Sequence, residues 1–262
     1  MGERFVTVEI REQVATVTLR RAEKRNALTF ELLEELRDAI RRLSASDELR
    51  LMVLTAEGTV FCAGMDLAQM LDRADRPDAQ ELWQRDTEVY RDVVWSLFNL
   101  PVPTLAVLPG PALAGGLGLV LACDLVLAAE TAWFALPEPQ RGITAAVVAP
   151  LLLHRVGSRW AEFLLISGQS VTAAEGEDIG ICHRVVPAAE LEIRAAEWTA
   201  SILKGGPSAL RQTKSLLREF THDPLWDQLG LGMQVSADAR ETDEAREGLS
   251  AFREKREPKW KL

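Results

Sequence analysis

Two glycine-bearing segments and one proline-flanked carboxylate carry the chemistry that this sequence could perform. Gly110-Pro-Ala-Leu-Ala-Gly-Gly-Leu-Gly118 places Ala114, Gly115, Gly116 and Gly118 where an apolar helix would begin. Unbonded N–H groups at such a terminus point outward with the positive end of the helix dipole, so they can hold an oxyanion or a phosphate. The same small residues would serve tight packing of helix on sheet equally well. Phe61-Cys-Ala-Gly-Met-Asp66 is a second glycine-bearing loop, after a strand-like run and before an apolar helix that Asp66 could cap. Two such loops could aim two N–H groups at one carbonyl oxygen, an oxyanion hole suited to a developing enolate. Taken alone, the second loop is also an ordinary strand-to-helix turn.

The carboxylate is Glu138 in Phe134-Ala-Leu-Pro-Glu-Pro139, held between two prolines that restrict its backbone. At the rigid end of an apolar segment its pKa would rise by desolvation, which suits a general acid and base; a solvated loop glutamate is the commoner outcome.

Other chemistries lose their usual support. Reading G-x-G-x-x-G from Gly116 puts Leu121 at the third glycine, and neither a P-loop nor a G-x-S-x-G elbow occurs. His154, His183 and His222 show no metal spacing and no nucleophile partner, so the first two are read as structural and the third as a helix-end residue. Cys62, Cys123 and Cys182 are odd in number and far apart, which fits a reducing cytoplasm, and no metal site is expected.

These segments need elements to position them. Val6 to Ile10 and Val14 to Leu19 read as a hairpin of two strands. From Thr29, a plausible N-cap, Leu32, Leu33, Leu36, Ile40 and Leu43 have helical spacing. Leu51 to Thr55, Leu105 to Leu108 and Leu125 to Ala128 are short apolar runs of strand length, with a small-residue helix between the last two. Strands alternating with helices argue for a mainly parallel sheet buried on both faces. After Val186 the runs 188–203, 207–220, 224–239 and 242–255 all look helical. The chain is therefore divided into an α/β core over residues 1–190 and a helical region over residues 191–262.

Composition bounds the partners. The 262 residues are 47% hydrophobic and 26% charged, which fits one globular α/β protein with a sizeable core. A formal charge of −9 disfavours nucleic acid yet permits a local basic pocket for a small anion. The start, MGERFVTVEI, has no leader-like apolar stretch, so residue 1 is expected to belong to the folded protein. The apolar stretch from Leu113 to Ala129 is interrupted too often for a span of ~20 residues, so no membrane helix is expected.

Six segments in this order, Lys24-Arg-Asn-Ala-Leu28, Phe61 to Leu67, Ala112 to Leu119, Cys123-Asp-Leu125, Leu136-Pro-Glu138 and Ala251 to Trp260, resemble the crotonase (enoyl-CoA hydratase/isomerase) superfamily nearly end to end. The resemblance implies an α/β core of repeated ββα units, a C-terminal helical trimerisation region, and a homotrimer or homohexamer. It implies that the backbone amides of Met65 and Gly115 form the oxyanion hole and that Glu138 moves the proton. It also implies that Ala63 contacts the adenine of CoA through its backbone, while Lys24 and Arg25 approach the phosphates and Lys255 helps from an adjacent subunit. The partner is an acyl-CoA thioester, and no separate cofactor is implied because CoA enters with the substrate.

Two departures accompany the likeness. Gly118 stands where typical two-carboxylate hydratases carry a glutamate, and Arg141 to Pro150 replaces their P-G-x-G-G-T-x-R segment with a variant that resembles the branch acting on methylglutaconyl- and isohexenylglutaconyl-type thioesters, so an unusual acyl chain is expected. The sequence favours hydration of a 2-enoyl-CoA, with Δ3,Δ2-enoyl-CoA isomerisation through the single glutamate as the close alternative and a non-catalytic acyl-CoA binder as a third. Trp83, Tyr90, Trp95 and Phe98, in the segment expected to line the pocket, read as helix core rather than as substrate contacts.

Overall fold

The computed structural model describes residues 4–74, 76–220 and 222–259. The expectations for residue 1, for the side chain of His222 and for Trp260 lie outside what is described.

The chain opens with the hairpin of β1 (Val6–Arg11) and β2 (Val14–Leu19), paired antiparallel with Val6 opposite Leu19. Then comes α1 (Phe30–Ser44), whose cap is Thr29: its Oγ1 accepts a 3.2 Å bond from the Leu32 amide, and the helix buries Leu32, Leu33, Leu36, Ile40 and Leu43. Both elements follow from the periodicity alone.

The central run is β3 (Leu51–Ala56), α2 (Leu67–Ala74), α3 (Ala79–Phe98), β4 (Thr104–Leu108), β5 (Ala112–Leu113), α4 (Gly115–Ala122), β6 (Leu125–Ala129) and β7 (Trp133–Ala135). A 3-10 turn, Glu138–Arg141, leads to α5 (Ala149–Ser167), β8 (Ser170–Thr172), α6 (Ala173–Ile179) and β9 (Arg184–Val186). The main sheet has the order β1-β2-β3-β4-β6-β9, and every pairing after the first hairpin is parallel. All five residues of β4 are buried, the continuous apolar run expected of a parallel strand covered on both faces.

A second layer stands on this sheet. Its strands β5, β7 and β8 form a small sheet of their own, and Cys62 bridges Ala112 in parallel, extending the layer to the loop after β3. The chain thus repeats one step three times: a long strand, a short extended stretch in the second layer, then a helix. The sequence reading missed the short strands because two or three residues carry no detectable period.

The C-terminal helices are α7 (Leu191–Ile202), α8 (Pro207–Glu219), α9 (His222–Ala239) and α10 (Asp243–Glu254). Leu191, Ala195, Trp198 and Ile202 of α7 cover the sheet face formed by Leu51, Val53, Leu105, Val107 and Leu127. Asp124 holds α8: its carboxylate pairs with Lys214 at 2.7 Å and with Arg218, and accepts the amide and hydroxyl of Thr104. Lys214 is itself buried and also donates to the Val102 carbonyl at 2.9 Å, so these charges close on one another. Helix α9 packs on α3 and α5, and α10 on α2 and the 3-10 turn, so this region folds back over its own core.

His183 accepts the Val126 amide at its Nδ1, 3.1 Å away, and His154 meets Phe98 edge-on, in keeping with structural roles. Among the described residues no helix is long and apolar enough to cross a membrane.

Candidate active site

The site begins with an unusual extended pairing. Leu28 lies parallel to Met65, its amide donating to the Gly64 carbonyl at 2.8 Å and its carbonyl accepting from the Asp66 amide at 2.9 Å. In a parallel ladder the residue opposite turns its own polar groups the other way. The Met65 N–H therefore points away from Leu28, and no described residue accepts it.

The second loop delivers a matching donor. The Ala114 amide is spent on the Ala135 carbonyl at 2.9 Å, and Ala114 sits at φ +52°, ψ −130°, a conformation that costs an L-residue about 1–3 kcal/mol. That bend starts α4 at Gly115, whose N–H, at the first helical position, has no intrahelical acceptor and no other among the described residues. Gly64, at φ +89°, lets the loops meet: a Cβ there would collide with the Ala114 methyl and stand 3.2 Å from the Gly115 nitrogen.

Met65 and Gly115 line one cavity of about 340 Å³ together with Glu138, Tyr90, Ala63, Lys24 and Arg25. Glu138 is 7% exposed, and its Oε2 is buried without a hydrogen-bond partner. Burial raises its pKa to about 7 despite the opposing effects of its own backbone amide and the field of Arg141. The sequence left open a solvated glutamate, and packing under α10 excludes it.

Six of the seven site residues expected from the sequence are thus in one place. Lys24 and Arg25 are exposed on the wall formed by residues 22–25, and the Arg25 carbonyl accepts the Ala63 amide at 3.0 Å, tying the two segments together. Lys255 is the exception: it ends α10 at φ +54°, exposed and away from the cavity lining. Its expected role concerned a neighbouring subunit's site.

Three residues escaped the sequence reading. Tyr90, the chain's single tyrosine, is buried in the core as expected and lines the cavity as well. Its hydroxyl donates to the Gly115 carbonyl at 2.6 Å and fills the space that a Cβ on Gly118 would need. Ser236 and Arg240 reach the cavity from the end of α9. Their spacing of four, one helical turn, was the available signal.

Asp66 caps α2, accepting the amides of Ala68 and Gln69, and pairs with Arg21 at 2.6 Å, which holds its carboxyl below the usual range despite burial. Asn26 is fully buried, donating to the carbonyls of Glu57 and Val60 and accepting the Arg21 amide. The loop carrying Lys24 and Arg25 is pinned to the loop after β3 by these bonds.

The enoyl-CoA hydratase/isomerase family model matches residues 9–262. A Thermus thermophilus protein bearing a provisional enoyl-CoA hydratase name is 37% identical over 247 residues, covering 94% of this chain and 97% of its own. Human enoyl-CoA hydratase domain-containing protein 3, mitochondrial, is 30% identical, covering 94% of this chain and 80% of its own. The crystal structure of an enoyl-CoA hydratase from Bacillus halodurans superposes with a TM-score of 0.88 at 25% identity, covering 94% of this chain and 99% of that one. An ordered match along almost the whole length, joined to the two-layered α/β fold described above, leaves one assignment: the chain belongs to the enoyl-CoA hydratase/isomerase family and has the crotonase-type fold.

Proposed function

We propose that the protein is an enzyme that binds a 2-enoyl-CoA and adds water across its double bond. The observation that carries this reading is a buried, unpartnered glutamate in the same cavity as two unbonded amides on adjoining loops.

The Met65 and Gly115 amides donate to the thioester oxygen, and their contribution grows as that oxygen becomes an enolate. Ionised Glu138 takes a proton from water as the water oxygen bonds to the β-carbon and the π electrons shift to the thioester oxygen. The now neutral Glu138 returns that proton to the α-carbon and the enolate collapses. One carboxyl group suffices as base and then acid, and a pKa of about 7 keeps both forms accessible at neutral pH. Ala63, Lys24 and Arg25 would receive the adenine and phosphates, Lys255 would assist from an adjacent subunit, and a homotrimer or homohexamer is the assembly that brings it there.

One observation favours a second reading. The Tyr90 hydroxyl occupies the side of Gly118, so no carboxylate orients water from that position, and Asp66, which also lines the cavity, is committed to Arg21 and the α2 cap. A lone glutamate can shuttle a proton between the α- and γ-carbons, which is Δ3,Δ2-enoyl-CoA isomerisation. Incubation with 2-enoyl-CoA in isotopically labelled water separates the two. Hydration yields a product heavier by one labelled water, and recovery of 2-enoyl-CoA unchanged beside rapid conversion of 3-enoyl-CoA overturns it. Failure of both substrates at every chain length would leave the non-catalytic binder.

A further inference from the structure

Glu138 and Arg141 open and close one 3-10 turn, and both line the cavity. Side chains three apart in such a turn stand on the same edge. Neither bonds the other: Glu138 Oε2 and Arg141 Nε are each buried without a hydrogen-bond partner. A buried acceptor and a buried donor on one edge call for a third group that accepts from the arginine and donates to the carboxylate.

The turn holds the arginine inward. Gln140 donates through its Nε2 to the Gly168 carbonyl at 3.1 Å, tying the turn to the end of α5. Gly142, at φ +67°, lies so close to α10 that a Cβ there would collide with the Glu244 carbonyl. From the same helix Phe252 sets its ring centroid 5.0 Å from the guanidinium carbon of Arg141, a cation–π contact that covers one face of the group. Long cationic side chains ordinarily carry their polar atoms to water, whereas here Nε stays inside.

The neighbouring charges leave these two groups to each other. Arg141 is the cation whose field acts on Glu138, and Glu138 is the anion whose field acts on Arg141, with Arg25 opposing from the cavity wall. Asp66 is bound to Arg21, and Arg240 sits in the fields of Asp86 and Arg73. Glu23 and Lys24 are exposed. On α10, Glu247 and Glu254 pair with Arg256, and Glu244 is exposed.

Water fits the demand for a third group, since its oxygen accepts from an N–H while its hydrogen is given to a carboxylate. Gly118 supplies no side chain for that purpose from α4. As Glu138 draws a proton away, the water oxygen gains negative charge, and a fixed guanidinium stabilises that developing charge more than it stabilises neutral water.

Resting on the hydration reading above, we infer that Arg141, held by Phe252, is the second group that orients the attacking water: its Nε–H donates to the water oxygen while Glu138 Oε2 accepts a water hydrogen. The remaining lone pair of that oxygen bonds to the β-carbon, Glu138 takes the proton, the π electrons move to the thioester oxygen, and Arg141 keeps its own proton throughout.

The test compares two reactions that share Glu138 but differ in their need for a placed water. One is hydration of 2-butenoyl-CoA; the other is exchange of the α-hydrogens of butanoyl-CoA in deuterium oxide, both run at about pH 9, where the glutamate is ionised. Arg141→Met keeps the length of the side chain and removes donor and charge together. Its hydration kcat should fall about 10²-fold while exchange stays near the wild-type rate. Arg141→Lys, which keeps the charge but carries its donor on a different atom, should give an intermediate ratio of hydration to exchange. Hydration at the wild-type rate in Arg141→Met, or equal loss of both reactions, overturns the inference and leaves the hydration reading standing. If Arg141→Met does not fold, the ratio in Arg141→Lys decides, and an unchanged ratio overturns it. A wild type that hydrates no 2-enoyl-CoA from butenoyl to decenoyl ends the hydration reading, and this inference with it.

Discussion

The Tyr90 hydroxyl bonds the Gly115 carbonyl at 2.6 Å and, with the same oxygen, closes the space beside Gly118. One side chain from α3 therefore braces the start of α4, where an oxyanion donor sits, and leaves no room for an acid at position 118.

Gly118→Ala should expose this packing. Alanine is normally the better helix former by about 0.5–1 kcal/mol, but here its methyl meets the tyrosine oxygen, and overpacking of this kind costs about 1–3 kcal/mol. In the Tyr90→Phe background the nearest obstacles become the Val148 methyl at 3.1 Å and the ring carbon at 3.3 Å, so the penalty shrinks. Denaturant midpoints of the two single variants and the double variant measure the coupling. Additive effects would refute it.

Glu138 links activity and stability with opposite signs. Its pKa rises from the usual 4.5 to about 7 because burial disfavours the charge. The unfolded chain then releases this proton first, so stability attributable to Glu138 is intact below about pH 4.5, falls as pH rises towards 7, and stays reduced above it. Glu138→Gln should be more stable than wild type at pH 8, by up to about 3 kcal/mol, with the gap closing near pH 4.5. Activity runs the other way: kcat/KM of the wild type should climb through about pH 7 as the base ionises, and the glutamine variant should have almost none. Thermal melts and initial rates over the same pH series check both.

Much of this was legible before any coordinates. The hairpin, the Thr29 cap, the parallel strands and the C-terminal helices follow from periodicity and capping residues, which are local. Met65, Gly115 and Glu138 came from segment order, and the fold places all three around one cavity. What Tyr90 and Arg240 face was illegible for a physical reason: it depends on packing between segments far apart in sequence, which no local period carries. Only the contact of α3 with α9 shows what those side chains meet.

Gly115→Pro tests the oxyanion amide. Proline is well tolerated at the first helical position, and its missing N–H is one that the helix itself never uses. A Cβ at Gly115 meets nothing closer than 3.4 Å, from Leu28 and Tyr90, so the fold should survive. The rate should drop by about 10²–10³-fold, whereas Gly115→Ala keeps the amide and should lose far less. A proline variant that melts normally and turns over at the wild-type rate would remove Gly115 from the mechanism.

Asn26→Asp addresses the loop that carries Lys24 and Arg25. The amide of Asn26 faces two carbonyls, Glu57 at 2.9 Å and Val60 at 2.8 Å, and its oxygen receives the Arg21 amide at 2.8 Å, with Asn26 itself fully buried. Aspartate has almost the same shape but no donor, so a buried carboxylate would oppose two carbonyl oxygens. Each unpaired buried group costs about 1–3 kcal/mol, and the new acid must also protonate or remain charged in the interior. The variant should therefore be strongly destabilised at pH 7 and partly recover at low pH, where a neutral carboxyl regains one donor. Because Asn26 touches the substrate cavity only through its neighbours, surviving molecules should show weakened CoA binding with little change in the pH profile set by Glu138. Unfolding midpoints at two pH values, paired with KM against kcat, distinguish this positioning role from a catalytic one.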